Sequence, residues 1–221
     1  TLLAVCGPMA RDAGDLLAAM QILAGPNSAE SKAWTWKMPP PRARTLAGFR
    51  VGYVLDDPWT PVSSDVKPAF AGAIRVLERA GAKLKPGWPA GFSIADLDET
   101  YRYMVRAFEY SMVPERDKAA ERARLRASGD PHARAAFASF ADWQVKNLKR
   151  LDFRALWQAY FDDVDVFLSP AVFTAAFRHD HREPKAARRI ETPEGPRNYW
   201  DTLRWIEPAT LTGCPATVAP V

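Results

Sequence analysis

The chain has 221 residues, of which 48% are hydrophobic and 25% charged, and its formal net charge is +4. This is the composition of a folded globular protein, long enough for one large unit or two small ones, and it excludes a disordered, collagen-like or disulfide-dense chain. No apolar run approaches the ~20 residues that span a bilayer, and no charged-then-apolar leader pattern is seen, so no membrane association is expected.

The chain opens on Thr1-Leu2-Leu3-Ala4-Val5 without an initiator Met, which suggests a fragment or a processed piece. Two cysteines, Cys6 and Cys214, give neither a disulfide framework nor a metal spacing, and cytoplasm is the expected compartment. Both sit among small residues, without a neighbouring base, and read as buried apolar thiols. Basic residues concentrate in 115–126 and 178–197, but acids are mixed into both stretches. That pattern suits solvated faces better than a nucleic-acid surface, and no nucleic acid is expected as a partner.

In chain order, Gly7-Pro8 turns into a helix with Asp12 as N-cap and Asp15 at the capping-box position. Leu16, Met20, Leu23 and Ala24 make its apolar face, and Gly25-Pro26 ends it. Residues 26–48, with Pro26, Pro39, Pro40 and Pro41, form an irregular connector. Arg50–Leu55 reads as a buried strand. Ser63-Ser64-Asp65 then reads as the start of a helix running to about Ala80, with Phe70, Ile74, Val76 and Leu77 inward and Pro68 in the first turn. Gly81 follows as the residue after the helix, and 82–85 as a second strand. Strand–helix–strand predicts parallel pairing with a right-handed crossover.

From 94 to 164 the pattern is almost wholly helical. Leu97, Tyr101, Met104, Phe108 and Met112 form one stripe, and Phe153, Leu156, Trp157, Tyr160, Phe161 and Val164 another. His132 lies in the charged stretch between them and reads as exposed. The second stripe runs into Asp165-Val166-Phe167-Leu168-Ser169-Pro170, and the almost unbroken apolar run from Val164 to Leu168 is expected to be a central parallel strand stopped by Pro170. Ligands of open α/β sheets collect beyond the carboxyl ends of strands, so the sequence after Leu168 is a candidate pocket wall. Thr192-Pro193-Glu194-Gly195-Pro196 is a tight turn, and 216–221 reads as a final strand.

No catalytic constellation emerges from the residues themselves. Ser63-Ser64 lacks the flanking glycines of a nucleophile turn and reads as a helix cap. His179-Asp180-His181 lacks a third ligand at a recognisable spacing, so it reads as a polar pocket rim rather than a metal site.

Four stretches together, however, resemble the amidase signature family, in that family's order. They are Gly7–Leu16 with Leu23-Ala24-Gly25-Pro26-Asn27, the strand Asp165–Pro170, the segment Phe177-Arg178-His179-Asp180-His181, and the closing Ala209–Val221, where Cys214 replaces the usual Leu. The resemblance implies an α/β fold: part of a mixed sheet with flanking helices in three layers, a helical insertion at about 94–164, and the C-terminal part of an amidase as a single domain over 1–221. It also implies hydrolysis of the C–N bond of a carboxylic amide by a Ser–cis-Ser–Lys triad, with no cofactor and no metal. This chain contains no Gly-Gly-Ser-Ser-Gly run, so no catalytic residue can be carried over, and the chain alone is expected to be inactive.

For a small-molecule amide in the intact protein, the implied pocket wall is Phe173, Phe177, His179, Asp180, Tyr199, Trp200, Asp201 and Trp205. Equally, those aromatics could pack the sheet. A glutaminase-type amidotransferase subunit and a non-enzymatic binding domain are the alternative functions. Uncovered apolar faces make a homo-oligomer possible.

Overall fold

The computed structural model describes every residue except Thr1, Leu2, Val5 and Pro184, so part of the opening pentapeptide lies outside the described residues. The chain divides into two compact units, Thr1–Arg44 and Thr45–Val221. In the first, Asp12 caps the helix Ala13–Leu23 (α1), its carboxylate accepting the Asp15 backbone N–H at 2.9 Å. Such a cap stabilises a helix by about 1 kcal/mol. Cys6 is exposed, not buried. Its small neighbours give it no apolar wall to pack against.

The second unit is built on three parallel strands, β1 (Arg50–Tyr53), β2 (Lys83–Pro86) and β3 (Val166–Leu168), in the order β2-β1-β3. The helix Lys67–Arg79 (α2) makes the crossover from β1 to β2, and Gly81 follows it at φ 84°, where a Cβ would press against Ala47. Arg50 pairs with Lys83 on one side, and Val51 pairs with Val166 on the other. The central strand is therefore β1. β3 is an edge among the described residues, with Val166 38% exposed. An apolar run alone cannot separate the two cases. Val164 belongs to the end of the preceding helix and packs with Trp157 and Tyr160 rather than lying in the strand.

Two further expectations fail at α2. Its N-cap is Val66, without a side-chain cap, because Ser63 is already engaged elsewhere. The Ser63 N–H donates to the Phe173 carbonyl at 2.8 Å, and its hydroxyl donates to Asp65. Val76 is exposed, since Phe70, Ile74 and Leu77 share one face and a residue two positions from Ile74 points the other way.

The helical stretch consists of α3 (Ile94–Ser111), α4 (Lys118–Ala127) and α5 (Phe140–Asp163). Ser93 caps α3, and Ser139 with Asp142 forms a reciprocal capping box at α5. Leu97, Tyr101 and Met104 are buried, whereas Phe108 and Met112 at the last turn of α3 are exposed. His132 is half-buried in a turn ahead of a short 3-10 helix, and burial pulls its pKa below the ordinary value.

A hairpin of β4 (Arg189–Ile190) and β5 (Arg197–Asn198) closes over the turn 192–196, with the Gly195 N–H donating to Thr192 O at 2.9 Å. A 3-10 helix, Tyr199–Leu203, and the short α6 (Glu207–Thr212) follow. Residues 216–221 form no strand and are exposed. Their alternation has no partner strand among the described residues. No helix of the described residues is long and apolar enough to cross a membrane.

Candidate functional site

Beyond the carboxyl ends of the three strands the chain builds an aromatic centre that the sequence reading missed. Trp88 leaves β2 and hydrogen-bonds through Nε1 to Asp57, just past β1, at 2.8 Å. Its ring stacks on Phe167 of β3 at 5.4 Å and on Trp205 at 6.0 Å, and lies 4.9 Å from Phe92. The one local signal was Gly87-Trp88-Pro89 directly after a parallel strand, the position where ligands and their walls gather.

The eight residues expected at the pocket fall into three groups. Phe173 and Trp205 are buried in a core cluster with Val54, Val62 and Ile190. The Arg197 guanidinium lies 4.0 Å above the Phe173 ring and donates to the Pro61 carbonyl. Trp200 and Asp201 belong to a polar network instead. The Trp200 carbonyl accepts from Arg102 at 3.5 Å, and Asp201 meets Arg197 at 3.4 Å and Arg204 at 3.2 Å. Phe177, His179, Asp180 and Tyr199 come together around one pocket of ≈ 260 Å³, with Arg178, His181 and Arg188.

The pocket is shaped mainly by Asp180. Both of its carboxylate oxygens accept from Arg182 Nε at 3.0 Å, and it also accepts the backbone N–H groups of Arg182 (3.0 Å) and Arg189 (3.3 Å). These hydrogen bonds, the Arg182 side chain first, hold its carboxyl far below the usual carboxylate range. Phe177 meets Tyr199 edge-on at 6.3 Å, and the Arg188 guanidinium lies over Tyr199 at 5.6 Å. The His179 and His181 rings lie 5.8 Å apart. No group of three or more His, Cys, Asp or Glu among the described residues could hold a metal ion.

A second polar centre lies behind Trp200. Glu207 is fully buried on α6, and neither carboxylate oxygen has a hydrogen-bond partner as an ionised acceptor. The Arg102 guanidinium stands 3.8 Å from Oε1, too far for a hydrogen bond, and instead donates to Asp98 at 2.8 Å. Burial first, then the charge of Asp98, push Glu207 up to about 8. A lone acid between Trp205-Ile206 and Leu211 was the sequence signal that could have flagged it.

Ser63 is 1% exposed with its hydroxyl on Asp65, and Ser64 N–H donates to Glu194 at 2.9 Å. That serine pair is a structural tie between α2, the 173 loop and the hairpin turn. The carboxylate that the Ser63 hydroxyl meets is Asp65, two residues on, and no histidine or lysine is bonded to either serine among the described residues.

A parallel α/β sheet with flanking helices and a small pocket on the loops beyond its strands is the class of protein this geometry defines. The amidase family model matches residues 1–221, and the chain belongs to that family. A solved bacterial aryl acylamidase of the amidase signature family is similar in fold, at TM-score 0.64 and 17% identity. The match covers 94% of this chain and 44% of that one, so the chain spans less than half the length of that structure. None of the curated proteins matches.

Proposed function

We propose that this chain supplies one wall of the substrate pocket in an amidase that hydrolyses the C–N bond of a carboxylic amide to an acid and ammonia or an amine. The observation that carries it is the family match over residues 1–221, in a chain without a Gly-Gly-Ser-Ser-Gly run. The nucleophile, bridging serine and lysine would lie outside these residues. Backbone amides there would hold the oxyanion. The fold likeness to an aryl acylamidase supports including anilides among the amides tested.

The test compares the 221-residue chain with a polypeptide in which the family's signature segment precedes it. Turnover of simple and aryl amides by the longer protein, and none by the chain alone, is expected. Fluorophosphonate labelling of the chain alone overturns the location of the triad. Absence of turnover by either overturns the amidase reading. Self-association is also proposed, supported by Phe140, Val145 and Leu148 standing exposed on α5, and light scattering reads it directly.

A further inference from the structure

The pocket around Tyr199 carries a charge pattern that a neutral amide does not use. Across residues 178–197 there are six Lys and Arg against four Asp and Glu, a surplus of two positive charges. Within it, Asp180 is closed off by Arg182, and Glu183 takes the Nη2 of Arg188. Arg188 is held further by Nε donating to the Arg182 carbonyl at 2.9 Å. Arg178 lines the pocket with no ion pair or hydrogen bond among the described residues. His179 and His181 also line it, with no hydrogen bond to their rings among the described residues. Phe177 and Tyr199, set edge to face at 6.3 Å, line it as well.

We propose that this pocket binds the anionic end of an aromatic carboxylate, with Arg178 pairing the carboxylate and Phe177 and Tyr199 packing the ring. The ≈ 260 Å³ volume suits one ring with its head group rather than a whole drug-sized ligand. A guanidinium fork binds a carboxylate bidentately and gains strength from both charges. An aromatic ring set edge-on against Tyr199 adds contact beyond area alone. The acid that would neutralise the pocket from within, Asp180, is already fully engaged. In the amidase reading, on which this rests, the substrate or the acid product carries the anionic aryl group.

Titration of the 221-residue chain with benzoate and with its neutral isostere benzamide, at fixed ionic strength, tests this. The chain has only three histidines, so the imidazole proton signals of His179 and His181 report the pocket while His132 serves as an internal control. Benzoate is expected to shift the first two saturably and to bind at least tenfold more tightly than benzamide. Arg178→Gln, an exposed site checked for folding by circular dichroism, is expected to weaken benzoate at least tenfold and leave benzamide unchanged. No saturation, equal binding of the two compounds, or benzoate binding that survives Arg178→Gln overturns the proposal. Because no turnover is involved, benzoate binding without amide hydrolysis in the longer protein would remove the amidase reading and leave the anion site. Hydrolysis without benzoate binding would do the reverse.

Discussion

The Tyr160 hydroxyl of α5 occupies the space where a β-carbon on Gly52 of the central strand would sit. A Cβ built there would overlap the hydroxyl oxygen and lie 2.9 Å from Cζ and 3.2 Å from Phe167. Only glycine leaves room for the tip of that side chain against the strand. Gly52→Ala is therefore expected to destabilise the fold by about 3 kcal/mol, at the upper end of overpacking costs, because a rigid ring must move. The Tyr160 hydroxyl itself has no hydrogen-bond partner. Tyr160→Phe should then be neutral or slightly stabilising, since it removes a buried unsatisfied group. Urea midpoints for the two variants read both expectations. A Gly52→Ala protein as stable as the parent would mean that the ring is not held where this packing puts it.

Glu207 makes stability depend on pH in a direction opposite to that of surface carboxylates. Its pKa in the fold, about 8, lies above the ordinary 4.5, so folding takes up a proton. Its contribution is fully present below about pH 4.5 and is lost as pH rises through 8. The groups facing it are Asp98, Tyr101 and Arg102 on α3 and Arg204 before α6. Each tenfold change in proton affinity is worth about 1.4 kcal/mol, so the loss between pH 5 and 9 is on the order of a few kcal/mol. Glu207→Gln keeps the shape, cannot ionise, and should flatten that slope while stabilising the protein at pH 9. An unchanged slope in the Gln variant would place the titration elsewhere.

What the sequence made legible is the set of features that local chemistry decides. Asp12 as a cap, Gly81 after α2, the parallel pairing of β1 with β2 and the apolar stripe of α5 all follow from spacing and residue type. The position of β3 at the edge depends on which strand neighbours which, and the apolar Val166-Phe167-Leu168 reads the same in both places. The site shows the same division. Phe173 and Phe177 are identical side chains four residues apart, yet one is 0% and the other 42% exposed. The difference is made by Val54, Val62 and Trp205, which are distant in sequence and cover only the first. Ser63 misled for a similar reason, because the Phe173 carbonyl that claims its N–H is 110 residues away.

Those two burial states separate the expected pocket residues under mutation. Trp205 is 3% exposed and stacked on Trp88, so Trp205→Ala should cost about 3–5 kcal/mol through the cavity it leaves. Trp205→Phe, which refills part of that space and removes an indole N–H without a partner, should cost far less. Phe177→Ala, at the pocket rim, should stay within about 0.5 kcal/mol of the parent. Chemical denaturation of the three variants gives the comparison. A Phe177→Ala variant as unstable as Trp205→Ala would make Phe177 a core residue, not a wall.

The two thiols should react at clearly different rates. Cys6 is exposed, whereas Cys214 is half-buried after α6, packs against the Trp157 cluster and has its Sγ 3.2 Å from the Thr212 hydroxyl. Reaction with a thiolate-selective disulfide reagent depends on access as well as on thiolate fraction. Under native conditions one equivalent is expected to react quickly, and the second only on unfolding. Cys6→Ser should abolish the fast phase. Thr212→Val should leave the fast phase intact and speed the slow one, because α6 loses the Thr212 hydroxyl bond to Pro208 O and the hydroxyl's contact with Cys214 Sγ, which close its last turn. Two equal fast phases in the parent protein would show that α6 does not shield Cys214.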